Sequence, residues 1–165
     1  VFVNVRGRPR EGATENGILE PVGRSRPGVV FGIGNIIENA VDFADRRVDV
    51  VAEWDSETVS VTISDDGPGF SVDIIDNLGE PYVTSRPATG SHRKMGQGLG
   101  LGLGFFIAKT LLERSGANLT FENRPAPEHG AVVHIEWPRG AFEAEGTIGT
   151  MAWRAKSPRS ALTTD

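Results

Sequence analysis

The stretch GQGLGLGLGFFIAKTLLERSG, residues 96–116, decides how this chain is read. Glycine occupies every second position from Gly96 to Gly104, and an apolar run with helical character follows at once. Glycine lets a ligand approach the backbone closely. A helix opening just after such a loop presents unpaired N–H groups and the positive end of its dipole, an arrangement that suits an anion. The same run also reads as a flexible linker entering a core helix. The usual phosphate fingerprints are absent. G-x-G-x-x-G fails because its third glycine would fall at Leu103 or Phe105, and G-x-x-x-x-G-K-[ST] fails because no lysine follows a suitably placed glycine.

Around this stretch, 165 residues fit one domain with a tail, and 38% hydrophobic residues are enough for a packed core. There is no cysteine, so disulfides and thiolate metal sites are excluded and a reducing compartment fits. No apolar run approaches the roughly 20 residues of a membrane span, and no signal peptide is visible. The net charge of −5 argues against nucleic acid as a partner. The chain opens inside a strand-like run, Val1-Phe2-Val3-Asn4-Val5, and reads as a piece of a longer protein.

Residues 1–6 are expected to form a strand, and residues 17–22 a short second one. Ser25 as N-cap and Pro27 in the first turn predict a helix to about Asp45. A hairpin follows, residues 48–54 and 59–63 joined through Asp55-Ser56-Glu57, with Val59, Val61 and Ile63 alternating with polar residues. The second strand runs into Asp65-Asp66-Gly67-Pro68-Gly69-Phe70. A short helix is expected over 71–77 and a long, breaker-rich loop over 79–98; loops of that length in compact domains are usually functional lids. The glycine run then leads into a helix over 103–115. A second hairpin, residues 119–122 and 131–137, turns at Pro125-Ala126-Pro127. The domain thus covers 1–140, with 141–165 a mobile tail. The order predicts a two-layer α/β sandwich, helices on one face of a mixed sheet.

Stepped at about 100° per residue, Asn35, Glu38, Asn39 and Asp42 fall within one arc of about 100° on the first helix. Val30, Ile33, Ile36, Ile37, Ala40, Val41, Phe43 and Ala44 take the other side. The polar stripe reads either as a solvated face or as a site. Asparagine is a poor helix former, and two of them one turn apart offer neutral oxygens suited to a hard cation such as Mg²⁺. Asp65, at a strand end beside Gly67 and Gly69, reads either as a tight turn or as an acceptor for an exocyclic amine such as adenine N6.

Taken together, these pieces resemble the sensor histidine kinases. Asn35-Ile-Ile-Glu-Asn39-Ala40 is similar to their N box, Asp65-Asp66-Gly67-Pro68-Gly69 to the G1 box, residues 79–86 (GEPYVTSR, with Tyr82 where Phe is usual) to the F box, and Gly100-Leu101-Gly102-Leu103-Gly104-Phe105 to the G2 box. The resemblance covers residues 25–138. Residues 38–44, 79–86 and 102–117 look most like the RegB/PrrB/ActS redox-responsive group. The resemblance implies the Bergerat ATP-binding fold: three helices over a mixed sheet, with ATP between the first helix, the G1 turn and a mobile lid. It assigns Asn39 as Mg²⁺ ligand, Asn35 as a phosphate or Mg²⁺-water contact, and Asp65 as the adenine N6 acceptor in a pocket shaped by Gly67 and Gly69. Tyr82, Thr84, Gly98, Leu99, Gly100, Leu101, Gly102, Leu103 and Gly104 join the nucleotide-contacting set, with the register of the glycines open.

Two departures stand out. Many members carry a basic residue where this chain has Asp42, so neutralising the phosphates falls to Arg86, His92, Arg93 or Lys94 of the lid. The acceptor motif, a histidine followed by an acidic residue, is missing: the histidines are followed by Arg93, Gly130 and Ile135. The implied reaction is transfer of the ATP γ-phosphoryl to a histidine on a dimerisation domain outside this chain, for onward passage to a response regulator. The implied parent is a homodimer in the bacterial inner membrane with this domain in the cytoplasm. A GHKL-type ATPase and a non-catalytic nucleotide-binding module are the alternatives. The ATPases place a water-activating Glu where this chain has Asn35, and Glu38 is the nearest substitute.

Overall fold

The computed structural model describes residues 1–11, 18–71, 75 and 103–143. Strands β1 (Phe2–Pro9), β2 (Arg47–Trp54), β3 (Thr58–Asp65), β4 (Asn118–Asn123) and β5 (Ala131–Pro138) form one sheet, in the order β1-β2-β3-β5-β4. β1 lies parallel to β2, and the remaining neighbours are antiparallel, so the sheet is mixed as expected. Helices α1 (Pro27–Phe43) and α2 (Leu103–Arg114) pack on one face, and a short helix α3 (Arg139–Glu143) follows β5 directly.

Alternation along the strands decides what is buried. Ala131, Val133, Ile135 and Trp137 of β5 are buried, and Val132, His134 and Glu136 between them are half-buried. Val50, Ile63 and Val133 stand side by side in register and meet Ile36 and Ala40 of α1 and Ala108 and Leu112 of α2 in one core. The indole N–H of Trp137 donates to Ser115 Oγ at 2.8 Å, and that hydroxyl donates to the Leu112 carbonyl at 2.6 Å. The largest core side chain thus ties β5 to the end of α2 and leaves no polar atom of its own unpaired.

Several expectations are corrected. Pro27 does open α1, but its N-cap is Arg26, without a side-chain cap bond, rather than Ser25. The Arg26 side chain instead donates to the carbonyls of Ser115 and Ala141, anchoring the start of α1 to the end of α2 and to α3. Ile18–Val22 is not a strand: Pro21 lacks a ladder donor, and the segment is held through Arg139 donating to the Leu19 carbonyl. α1 ends at Phe43, short of Asp45. The tail does not begin at residue 141, because α3 continues to Glu143 and Phe142 stacks edge-on against Trp137 with ring centroids 5.6 Å apart. The lid at 79–98, residues 144–165 and, apart from Ser71 and Ile75, the helix expected over 71–77 lie outside the described residues.

The helical wheel also misjudges α1. Val30 and Phe43 are 60% and 37% exposed, and the buried line runs through Gly32, Ile36 and Ala40. α2 sets that line. Leu112 packs so closely over Gly32 that a Cβ there would lie 2.7 Å from Leu112 Cγ. Asp66 closes the link from α1 to β2, its Oδ1 accepting the N–H groups of Arg46 and Arg47 at 2.9 Å each.

Ile36→Ala is expected to cost about 2–5 kcal/mol in equilibrium urea unfolding, whereas Val30→Ala should change stability by about 0.5 kcal/mol or less. The backbone N–H groups of Arg46 and then Arg47 hold the Asp66 carboxyl below its ordinary value of 3.8. A carboxyl lowered in the folded state stabilises above its unfolded value, and that stabilisation disappears as pH falls through the lower, folded value. Thermal unfolding measured downward from pH 5 should therefore show a contribution from Asp66 that is lost near and below pH 3.8, and Asp66→Asn should remove that part of the pH dependence.

Candidate functional site

Asn35 and Asn39 are half-buried, one turn apart on α1, beside the opening of α2. Gly104, in the first turn of α2, sits against Asn35; a Cβ at Gly104 would lie 3.1 Å from Asn35 Nδ2. Asn39 Nδ2 donates to Asn35 Oδ1 at 3.0 Å and to the Asn35 carbonyl at 2.7 Å. Its donors are thus committed, and Asn39 Oδ1 has no hydrogen bond to a described residue. That leaves one oriented, neutral amide oxygen a helical turn from the Asn35 side chain that meets Gly104. Glu38 and Asp42 lie on the exposed side of α1. Among the described residues no group of three or more His, Cys, Asp or Glu side chains could cage a metal. A cation here would have one protein oxygen and would keep other ligands, which is the habit of Mg²⁺ with phosphate.

At the end of β3, Asp65 is 4% exposed. Its Oδ1 accepts the N–H groups of Gly67 at 2.8 Å and Ala131 at 3.2 Å. Its Oδ2 has no hydrogen bond to a described residue. That oxygen is therefore available to accept a hydrogen bond from a ligand donor. Gly67 lies against the Phe43 carbonyl at the end of α1, and Gly130 (φ +126°) against the Asp65 carbonyl, so neither position has room for a side chain. Below the turn, Phe121 of β4 contacts both Phe70 and Phe105, with centroids 6.3 and 5.4 Å apart. α1 therefore links the two clusters: Asn35 and Asn39 face α2, and Phe43 abuts the turn.

The structure thus places Asn35, Asn39, Asp65, Gly67, Gly69 and Gly104 around the end of α1 and the start of α2, with Leu103 the first residue of α2. Tyr82, Thr84, Arg86, His92, Arg93, Lys94, Gly98, Leu99, Gly100, Leu101 and Gly102 lie outside the described residues. Sequence reasoning passed over Asn123 and took His129 as a histidine without the acceptor motif. Asn123 holds both backbone groups of Phe70, and His129 Nδ1 donates to the Gly67 carbonyl at 2.8 Å. Asn123 sits beside Pro125, where asparagine reads as ordinary turn chemistry, so no pattern marked it. Phe121 was legible from its alternation with Leu119.

Residues 27–141 match the model of the histidine kinase-, DNA gyrase B- and HSP90-like ATPases. The chain belongs to this family. Among relatives of this ATPase-family domain, the sensor histidine kinase RegB of Cereibacter sphaeroides is 42% identical over 139 residues, 79% of this chain and 29% of RegB. The C4-dicarboxylate transport sensor protein DctB of Pseudomonas aeruginosa is 35% identical over 108 residues, 62% of this chain and 16% of DctB. The chain therefore spans less than a third of either relative. Its fold is that of the mycobacterial sensor histidine kinase MprB, with a TM-score of 0.59 over 82% of this chain and 81% of that one at 22% identity. Full-length ShkA in complex with AMPPNP gives a TM-score of 0.57 over 82% of this chain and 25% of that one at 21% identity. At those identities the likeness concerns the fold. Among the described residues no helix is long and apolar enough to cross a membrane.

Gly67→Ala is expected to destabilise the domain by about 1–3 kcal/mol in chemical unfolding, because its Cβ meets backbone that cannot give way. Gly34→Ala, on the same helix as Asn35 and with nothing within 4 Å of its Cβ, should be neutral or stabilising.

Proposed function

We propose that this chain is the catalytic ATP-binding domain of a sensor histidine kinase. The observation that carries the reading is Asp65, a buried carboxylate with one oxygen tied to its own turn and the other awaiting a donor, as an adenine N6 amine would provide. The γ-phosphoryl of ATP is transferred to an imidazole nitrogen of a dimerisation domain. The bond from Pγ to the bridging oxygen breaks, a P–N bond forms, ADP leaves with the electron pair, and the imidazole N–H proton passes to solvent or to a base on the dimerisation domain. Such a reaction depends on positioning and charge neutralisation more than on covalent help from the protein.

In this reading Asn39 Oδ1 would hold Mg²⁺, which when bound neutralises phosphate charge. Asn35 orients the Asn39 amide by accepting from Nδ2. The start of α2 faces the phosphates, and Arg86, His92, Arg93 or Lys94 of the lid supplies the positive charge absent at Asp42. Two observations favour transfer over hydrolysis. Asn35 stands where a water-activating Glu would be needed, and Glu38 is exposed. His129 and His134 are occupied with the Gly67 carbonyl and Thr62, in keeping with an acceptor histidine elsewhere. The identity with RegB extends the proposal to a redox-responsive, homodimeric parent in the inner membrane, this domain in the cytoplasm, a response regulator downstream and no nucleic-acid partner.

Titration with a non-hydrolysable ATP analogue should show Mg²⁺-enhanced binding. Asp65→Asn should weaken it about 10- to 100-fold, the range of a hydrogen bond to a charged group, and Asn39→Ala should remove the Mg²⁺ enhancement. Labelled ATP should leave no acid-labile phosphohistidine on the chain itself. Absence of binding, or binding indifferent to both substitutions, would overturn the reading, and rapid hydrolysis abolished at Glu38 would favour the ATPase.

A further inference from the structure

The turn that carries Asp65 is held from behind by the β4–β5 connection, and we propose that Asn123 is the positioning residue that sets it for adenine. The inference rests on the nucleotide-binding reading above. Asn123 is the last residue of β4. Its Oδ1 accepts the Phe70 N–H at 2.6 Å, and its Nδ2 donates to the Phe70 carbonyl at 2.8 Å. One side-chain amide thus holds both backbone polar groups of Phe70, as a neighbouring strand would.

At the other side of Pro68-Gly69, Gly67 is held in the same complete way. Its N–H goes to Asp65 Oδ1, and its carbonyl accepts from His129 Nδ1 at 2.8 Å. Four backbone groups bracketing the turn are thereby fixed, three of them by Asn123 and His129. Gly69, at φ +80°, lies so close to this support that a Cβ would come 2.6 Å from Asn123 Oδ1. The support is itself braced. The Arg124 N–H donates to the Gly130 carbonyl at 2.9 Å, and the Arg124 side chain reaches Ser64 Oγ at 3.0 Å and Glu128 at 3.1 Å.

Asn123 and His129 are both solvent-exposed. Neither fills the core, and a fold under selection for stability alone has little need of two exposed polar side chains gripping a glycine turn. What the grip defines is the distance between Asp65 and the ring cluster of Phe70, Phe121 and Phe105. That distance governs where an adenine would sit, and it has no bearing on the polyphosphate end at Asn39 and Gly104. Loosening the grip should therefore weaken recognition of the base and spare recognition of the phosphates.

The test uses the 165-residue chain and three probes: a non-hydrolysable ATP analogue, its GTP counterpart and inorganic tripolyphosphate, each with Mg²⁺. Asn123→Ala should weaken the ATP analogue about tenfold, because the turn that presents Asp65 is no longer fixed, with tripolyphosphate binding unchanged and thermal unfolding lowered only as far as the loss of two exposed hydrogen bonds requires. Asn123→Asp, which keeps the acceptor for the Phe70 N–H and loses the donor, should fall between, and the ATP-over-GTP preference should shrink in the same order. Equal weakening of all three probes, or no weakening of the ATP analogue while Asp65→Asn does weaken it, would overturn the inference and leave the nucleotide-binding reading intact. Indifference of the ATP analogue to Asp65→Asn would overturn both.

Discussion

A carboxylate drawn out of water is held in place by the donors its oxygens find, and in Asp65, 4% exposed, one oxygen takes two of them from the backbone. Its Oδ1 is tied to the N–H groups of Gly67 and Ala131, so a single atom joins the end of β3, the glycine turn and the start of β5. Much of the site's architecture follows. Gly67 has to approach the end of α1, Gly130 has to approach the Asp65 carbonyl, and both must be glycine for want of space. Oδ2 has no hydrogen bond to a described residue.

The second half of the site obeys a different constraint, the close packing of α1 and α2. Gly32 admits Leu112, and Gly104 admits Asn35. These contacts bring a helix N-terminus beside the asparagine pair. The Asn39 amide then turns its nitrogen to Asn35 and presents its oxygen. On the proposed nucleotide-binding reading, neutral oxygens suit this place better than carboxylates would, since charge repulsion from phosphate is avoided, which would account for residues that are otherwise poor choices in mid-helix. The sheet supplies Asp65 at the end of β3 and supports both halves, its helix-facing side filled with Val, Ile and Trp side chains that pack against α1 and α2.

The strands were legible because period-two alternation is a local property. Val59, Val61 and Ile63 declared a half-buried strand before any partner was known. The asparagine stripe and the Asp-x-Gly-x-Gly turn were legible because unusual residue types recur at fixed short spacings. The failures share a cause. Ile18–Val22 looked like a strand but found no ladder, Val30 and Phe43 lay on the apolar side of a wheel but not under α2, and Phe142 was assigned to a tail although Trp137 offers it a ring to pack against. Each depends on a partner distant in the chain.

By itself, the sequence determined the alternating elements, the mixed α/β class, and the candidate residues of the site, because periodicity and spacing are written in neighbouring positions. The tertiary structure alone decided how those residues are oriented. It assigned one oxygen of Asp65 to the backbone and kept the other apart, aimed the Asn39 amide through Asn35, and recruited Asn123 and His129 from the far hairpin to hold the turn. The physical reason is that hydrogen-bond direction and steric room arise only where segments far apart in the chain are brought together.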